Sequence, residues 1–140
     1  MHETLKDKVV VVTGGAGGIG RAICERFAGV GAKVVVNDIS DDGTNEVVDA
    51  INASGGTAMA GIADVSDSTA VGTMINAVMA EHGRIDVLVN NAGLISPMLH
   101  FFEADEAWWR RIIDVNLTGH FIVSHPVARI MAKQGGGNII

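Results

Sequence analysis

The sequence predicts an α/β fold with a doubly wound parallel sheet, and three observations support that prediction. Apolar β-branched runs occur at 9–12 and 34–36, and a third strand-like segment, IDVLV, occurs at 85–89. Segments with helical periodicity follow each of these runs. A glycine-dense turn, TGGAGGIG, joins the first run to the first helical segment. Strands that alternate with helices of ordinary length form βαβ units, which place the strands in parallel.

The glycine-dense turn at 13–20 is the most informative local motif. Its glycines fit two spacings, G-x-G-x-x-G beginning at Gly15 and T-G-x-x-x-G-x-G beginning at Thr13. Glycine lets the backbone adopt a positive φ and lets a bulky anion approach the main chain. The helix start that follows offers unpaired N–H groups. The turn therefore predicts the pyrophosphate end of a dinucleotide site, and the alternative is a purely structural turn.

The first two helical segments each show an apolar face, which in the second consists of Val47, Val48 and Ile51. In the first, Ile19, Ile23 and Phe27 recur at every fourth position, which predicts that these side chains pack on the sheet. The second is expected from about Asp42 to the glycines at 55–56. A weaker, Ala- and Gly-rich strand is predicted at 57–62.

The later segments complete the alternating pattern. Ser66 is expected to cap a third helix that ends at Gly83. A loop at 90–102 leads into a long helical region from about Ala104, which Pro126 is expected to interrupt. Residues 138–140 look like the beginning of a fifth strand that is cut short.

The predicted sheet order is 3-2-1-4-5, as in a Rossmann-type fold truncated within its fifth strand. Right-handed crossovers and a reversal of winding after the third strand give this order. In such sheets ligands bind at the carboxyl ends of the strands, beside the switch point between strands 1 and 4. The glycine turn, Asp38, Asp64 and the segment 90–93 all fall at such ends. Their convergence predicts one shared site.

Composition narrows the function classes. The chain has 140 residues, enough for one domain at 1–140, and a net charge of −6 that disfavours a nucleic acid or an anionic membrane as partner. The N-terminal residues lack an apolar signal core, and no apolar run is long enough to cross a bilayer. The single Cys24 is expected to be a buried apolar residue in a reducing compartment, the cytoplasm. The histidines have no metal-binding spacing.

Asp38 is the predicted discriminator between cofactors. It ends the second strand roughly 20 residues beyond the glycine turn, where an acidic side chain binds the adenosine ribose hydroxyls. A carboxylate there repels a 2′-phosphate, and no Lys or Arg lies in the turn or just after Asp38. We therefore expect NAD rather than NADP. The alternative is a solvated strand-end Asp or a helix cap.

Two further strand ends carry polar or small residues. Asp64 and Val65 can bind the edge and cover the face of an adenine, or they are an ordinary loop before a helix. In the segment NNAG, the small residues Ala92 and Gly93 allow close approach to a sugar, and Asn90 can tie neighbouring strands. The alternative there is a plain turn.

Asn116 lies among apolar residues on the long helical segment. Trp109, Ile112, Ile113 and His120 are predicted to share its face. A buried amide requires hydrogen-bond partners. Asn116 is therefore either held by backbone groups or orients a water in a proton relay.

Together these motifs resemble the short-chain dehydrogenase/reductase family. The resemblance rests on 13–20, Asp38, Asp64 with Val65, 90–93 and the run DVNLTG at 114–119, and it spans the whole chain. It favours the T-G-x-x-x-G-x-G spacing and implies hydride transfer between a nicotinamide and an alcohol or ketone.

The resemblance also implies roles for individual residues. Asn116 matches the family's asparagine that supports a proton-relay water. The resemblance implies that the pyrophosphate is held by Gly14, Gly18, Ile19 and Gly20, and the adenosine ribose by Asp38. It implies that the adenine is held by Asp64 and Val65, and the nicotinamide-side ribose by Asn90, Ala92 and Gly93.

The sequence departs from the family pattern at the catalytic residues. The family uses a Ser and a Tyr-x-x-x-Lys that follow the fifth strand, and this sequence has no Tyr. The 140-residue chain alone is therefore expected to be inactive. Three interpretations stay open: the cofactor-binding part of an oxidoreductase, a non-catalytic NAD-binding module, and a module completed by another chain. Exposed apolar surface on the last helix predicts a homo-oligomer or a complementing chain.

Overall fold

The computed structural model describes residues 3–140. It is a five-stranded parallel sheet of order 3-2-1-4-5 with helices on both faces, which confirms the predicted fold class. A short 3-10 helix, Glu3–Leu5, precedes the sheet. The strands are β1 Val9–Thr13, β2 Lys33–Asp38, β3 Thr57–Ile62, β4 Val87–Val89 and β5 Asn138–Ile139. The helices are α1 Gly18–Gly29, α2 Asp41–Ala53, α3 Ser68–His82, α4 Glu106–Ile113 and α5 Gly119–Gln134.

The core is divided by the sheet into two layers. Helices α1 and α2 cover one face, where Val10 and Val12 of β1 point. Helices α3 and α5 cover the other face with Val9 and Val11. A strand covered on both faces has apolar residues at successive positions, which is why apolar and polar residues do not alternate along β1. Because helices cover both faces, a ligand reaches the sheet only at its ends.

The predicted face of α1 is confirmed in part: Ile23 and Phe27 are partly buried against the core, but Ile19 is not. The buried residues of α1 are Gly20, Cys24 and Ala28, whereas Ile19 is 74% exposed. The helix crosses the sheet so closely that small side chains fill the contact. Cys24 is fully buried, which confirms that prediction, and burial raises the pKa of its thiol to about 12.

Helix α3 is capped by Asp67 and not by Ser66. The Asp67 carboxylate accepts hydrogen bonds from the amides of Thr69 and Ala70. Ser66 lies one residue before the cap position, and its hydroxyl donates to Asp64 at 2.6 Å. The predicted end is confirmed, since Gly83 lies just beyond the helix in a left-handed conformation.

The long helical region is irregular at a different place from the one predicted. A π-helical segment, Asp114–Thr118, joins α4 to α5, and α5 continues through Pro126 without ending. The buried face carries Val115, Val123 and Val127, whereas Trp109 is 59% exposed. The predicted apolar face is therefore wrong at Trp109. Within residues 3–140, no helix combines the length and apolarity needed to cross a bilayer.

Candidate dinucleotide site

The glycine turn between β1 and α1 has three positions at which the main chain disfavours a side chain, besides Gly15, where a Cβ would lie 2.9 Å from the side-chain atom Val36 Cγ1. Gly14 and Gly18 have φ values of +64° and +52°. A Cβ on Gly20 would lie 1.9 Å from the carbonyl oxygen of Gly14. A Cβ on Gly17 would meet nothing within 4 Å. These requirements fall on the glycines of T-G-x-x-x-G-x-G.

The start of α1 differs from the starts of α2, α3 and α4. Ser40, Asp67 and Asp105 cap those three helices with side-chain oxygens. Gly17 precedes α1, and no side chain caps its first turn. No acidic residue lies in that turn either. The first-turn amides of α1 therefore suit an anion, as a pyrophosphate requires.

Asp38 lies against the glycine turn. One carboxylate oxygen, Oδ2, accepts a hydrogen bond from the Ala16 amide at 3.1 Å. The other, Oδ1, accepts from the amides of Ile39 and Ser40. The carboxylate thus ties the end of β2 to the turn and keeps acceptor capacity on Oδ2.

Asp64 and Val65 lie at the carboxyl end of β3. Val65 is buried, and a Cβ on Gly119 would lie 2.8 Å from its Cγ2 atom, so α5 packs closely against it. Asp64 Oδ1 accepts from the amide and the hydroxyl of Ser66. Asp64 Oδ2 accepts from Arg111 Nη2 at 3.1 Å. Burial alone would raise the pKa of Asp64, but the Ser66 hydrogen bonds and the Arg111 charge outweigh it and lower that pKa.

The loop after β4 is fastened to β1 across the switch point. The Thr13 hydroxyl accepts hydrogen bonds from the amides of Asn91 and Ala92, both at 3.0 Å. Asn91 Nδ2 donates to the carbonyls of Thr13 and Gly14. Asn90 donates instead to the Ser124 hydroxyl on α5. The two loops that flank the switch point are therefore held together.

Asn116 is held by the main chain of Leu94. Its Oδ1 accepts from the Leu94 amide at 2.6 Å, and its Nδ2 donates to the Leu94 carbonyl at 2.9 Å. One Nδ2 proton and one Oδ1 lone pair remain beyond these bonds. Asn116 lies in the π-helical segment, an irregularity common at functional sites. Nearby, His120 Nε2 lies 3.1 Å from the Ala92 carbonyl oxygen.

Some of the predicted site residues line the cleft at the carboxyl ends of the strands, and the others lie outside it. Six of them line it together: Gly14, Asp38, Asp64, Val65, Ala92 and Gly93. Gly20 lies behind Gly14, Asn90 faces Ser124, and Asn116 contacts the cleft through Leu94. The exposed Ile19 side chain lies with Leu5 and Phe27 on the outer face of α1 instead.

Comparison with known proteins identifies the chain. The family model described as short chain dehydrogenase matches residues 8–140. The chain belongs to the short-chain dehydrogenase family. Its sequence is 38% identical over 140 residues to a cis-4-hydroxycyclohexanecarboxylate dehydrogenase of Sinomonas cyclohexanicum, covering 100% of this chain and 56% of that protein. It is 38% identical over 136 residues to the 7alpha-hydroxysteroid dehydrogenase of Escherichia coli, covering 97% and 52%.

Solved structures of short-chain dehydrogenases are similar as well. A metagenomic short-chain oxidoreductase in complex with NADP has a TM-score of 0.90 and 35% identity, covering 97% of this chain and 61% of that one. A 7 alpha-hydroxysteroid dehydrogenase with NADH and 7-oxo glycochenodeoxycholic acid also has a TM-score of 0.90, with 38% identity, covering 96% and 52%. This chain spans about half the length of the curated relatives that it matches.

Sequence reasoning missed two polar residues of the cleft region. Arg111 lines the cleft and lies 47 positions from its partner Asp64. Asn37, also in the lining, is fully buried; it donates to the carbonyls of Gly61 and Ala63, and its Oδ1 has no partner among the described residues. Neither residue belongs to a periodic pattern, so the sequence carried no signal for Arg111 beyond its charge.

Proposed function

We propose that residues 1–140 form one cofactor-binding domain of an NAD-dependent dehydrogenase that interconverts an alcohol and a ketone. The observation that carries this proposal is the uncapped first turn of α1 beside Asp38, whose Oδ2 lies 3.1 Å from the Ala16 amide. An anion-binding helix start and a hydroxyl-binding carboxylate on the next strand match the diphosphate and the ribose of a dinucleotide. The similarity to short-chain dehydrogenases supports the same proposal.

Each part of the cofactor has a proposed set of partners. The amides of the glycine turn and the start of α1 bind the pyrophosphate, and Asp38 binds the adenosine ribose. Asp64 and Val65 bind the adenine. The proposed pyrophosphate-binding residues are Gly14, Gly18, Ile19 and Gly20. The residues proposed to lie at the nicotinamide-side ribose are Asn90, Ala92 and Gly93. Ile19 serves through its backbone amide, since its side chain points away.

A preference for NAD over NADP is part of the proposal. Asp38 presents negative charge where a 2′-phosphate would lie, and Ile39, the next residue, offers no cation. Calorimetric titration of the chain tests this preference. We expect saturable NAD binding, weaker NADP binding, and loss of NAD affinity by about tenfold in Asp38→Ala, on the order of one charge-assisted hydrogen bond.

Asp42→Ala is the matched control for that titration. Asp42 is an exposed carboxylate in the first turn of α2, close in sequence to Asp38 but absent from the cleft lining. It should leave NAD affinity unchanged. Absence of NAD binding by the folded chain, or tighter binding of NADP, would contradict the proposed cofactor.

The proposed chemistry assigns a supporting role to Asn116. When bound, the nicotinamide accepts hydride from an alcohol carbon or donates it to a ketone carbon. Asn116 has one free Nδ2 proton beyond its two bonds to Leu94, so it can hold a water at a fixed position. We propose that this water belongs to the proton relay. The substrate is a small alcohol or ketone.

Turnover requires groups that this sequence lacks. With no Tyr in the chain, the family's general acid/base has no counterpart among these residues. We therefore expect that the 140-residue chain binds NAD and does not reduce a ketone unaided. Two alternatives remain: a non-catalytic NAD-binding module, and a module that a second chain completes. Ketone reduction by the purified chain alone would refute the expected inactivity.

A mixing experiment separates these alternatives. A chain that carries the second half of a relative is added to this chain with NADH and a ketone. Oxidation of NADH only in the mixture favours the completed enzyme, and its absence favours the non-catalytic module.

A reducing, cytoplasmic location belongs to the same proposal, because the one cysteine is a buried free thiol.

We also propose that the chain associates with a second copy. Trp109, Leu117 and Phe121 are 59%, 65% and 65% exposed along the helical region from α4 to α5. Several large apolar side chains exposed along neighbouring helical segments are typical of an interface. Light scattering after size exclusion tests it: Phe121→Glu should shift the mass to that of a monomer. A monomeric parent chain at high concentration would contradict association.

A further inference from the structure

We propose that Arg111 is a positioning residue that aims the Asp64 carboxylate at the amino group of the adenine. The inference rests on the proposed dinucleotide site and adds a residue to it. Arg111 belongs to α4, whereas Asp64 follows β3, so the contact joins two separate elements. Arg111 and Asp64 both line the cleft, and Arg111 is the basic residue of that lining.

Asp64, Ser66 and Arg111 form a closed ring of hydrogen bonds. The Ser66 hydroxyl donates to Asp64 Oδ1 at 2.6 Å. Arg111 Nη1 donates to the same hydroxyl at 3.0 Å, and Nη2 donates to Asp64 Oδ2 at 3.1 Å. Each member contacts the other two, so the carboxylate is fixed in rotation as well as in place.

The hydrogen-bond ring leaves one acceptor position of the Asp64 carboxylate free for a ligand. An ionised carboxylate has about four acceptor positions on its two oxygens. Ser66 uses two on Oδ1 through its amide and its hydroxyl, and Arg111 uses one on Oδ2. The remaining position is on Oδ2, the oxygen that Arg111 orients. An acceptor there complements an N–H donor, and the adenine amino group is such a donor.

Stability alone gives little reason for this ring. The side chains of Arg111 and Asp64 are 47% and 26% exposed. Ion pairs of that exposure are screened by solvent and contribute little to folding. The planar guanidinium bonds two acceptors at once, which a lysine ammonium does not do in a fixed geometry. The arrangement is suited to holding an acceptor in a defined direction.

The test compares NAD with nicotinamide hypoxanthine dinucleotide, in which a carbonyl oxygen replaces the adenine amino group. Calorimetric titration gives the dissociation constants of both for the parent chain and Arg111→Met. We expect the parent to prefer NAD by about tenfold, the size of one charge-assisted hydrogen bond. Arg111→Met should lower that ratio to about threefold or less, mainly by weakening NAD. Arg111→Lys should fall in between.

Arg110→Met is the matched control. Arg110 precedes Arg111 on α4, and its guanidinium pairs with Glu106, with 71% of the side chain exposed. The substitution removes the same charge from the same helix without touching Asp64. It should leave the NAD-to-hypoxanthine ratio at the parent value. Asp64→Ala, which removes the acceptor, should bring the ratio of the two affinities close to one, and adding Arg111→Met to it should change nothing more.

The outcomes separate this inference from the proposed function. A parent chain that does not bind NAD refutes the dinucleotide site and the inference with it. A parent that binds NAD while Arg111→Met keeps the full ratio refutes the inference alone. If the NAD-to-hypoxanthine affinity ratio rises in Arg111→Met, Arg111 competes with the adenine for Asp64, and the inference is overturned. If Arg111→Met lost affinity only for NADP, Arg111 would be assigned to binding a phosphate, which also overturns the inference.

Discussion

Replacing Gly20 with alanine should unfold the chain at a much lower urea concentration. The added Cβ would lie 1.9 Å from the Gly14 carbonyl oxygen and 2.7 Å from Asn91 Nδ2. The first neighbour is main chain, so it cannot rotate away as a flexible side chain would. Displacing it also moves the carbonyl that accepts from Asn91.

The expected cost follows from this clash. Overpacking of a close-packed site costs about 1–3 kcal/mol, and a backbone clash belongs at the upper end. For a chain of this size the urea dependence is roughly 2 kcal/mol per molar, so the midpoint should fall by about 1–1.5 M. Far-UV circular dichroism during a urea titration measures that midpoint.

Gly29→Ala is the matched control in the same helix. Gly29 ends α1, and a Cβ there would meet nothing within 4 Å. Alanine is favoured over glycine in helices by about 0.5–1 kcal/mol, so this variant should be as stable as the parent or slightly more stable. Equal midpoints for Gly20→Ala and Gly29→Ala would refute the close-approach argument.

Three further predictions address the cofactor preference, the switch point and acid stability. Asp38→Ser combined with Ile39→Arg removes the carboxylate and adds a cation at the strand end, so calorimetry should show NADP binding at least about tenfold tighter than NAD. Thr13→Val leaves the Ala92 amide without its acceptor and removes one of the two acceptors of the Asn91 amide, which also donates to the Val89 carbonyl, so it should cost about 1–3 kcal/mol in urea unfolding; no loss would contradict that role. Burial alone would raise the pKa of Asp86, but hydrogen bonds from Arg84 and the Val9 amide outweigh it and lower that pKa below 3.8. The Asp86 contribution to stability is therefore present above pH 3.8 and lost as pH falls through the folded-state pKa, and Asp86→Asn should flatten the decline measured by thermal unfolding below about pH 4.

The strands and their order were predictable because their signals are local. Four valines in a row at 9–12 indicate a strand covered on both faces, and the glycine turn fixes where it ends. The close crossing of α1 was less visible. Hydrophobicity pointed to Ile19 and Phe27, and Phe27 does pack against the core, but the close contacts of α1 involve the small residues Gly20, beside the Gly14 carbonyl, and Cys24, beside Gly15. Apolar periodicity identifies large side chains and carries no information on how near two backbones come.

The polar contacts of the site were predictable only where one residue type implies one partner. The amide of Asn116 required hydrogen bonds, but both a backbone partner and a water satisfied that requirement on sequence grounds. Its bonds to Leu94 depend on the π-helical segment, which has no sequence pattern of its own. Arg111 and Asp64 meet only because the fold brings α4 over the end of β3.

The hydrogen bonds between Thr13 and Asn91 bear on how a large, flexible ligand would be received. They join the end of β1 to the loop after β4, so the surfaces proposed to face the two halves of a dinucleotide are held in place relative to each other. A ligand that settles there would not have to order either segment, and that part of the conformational entropy cost would already have been met during folding.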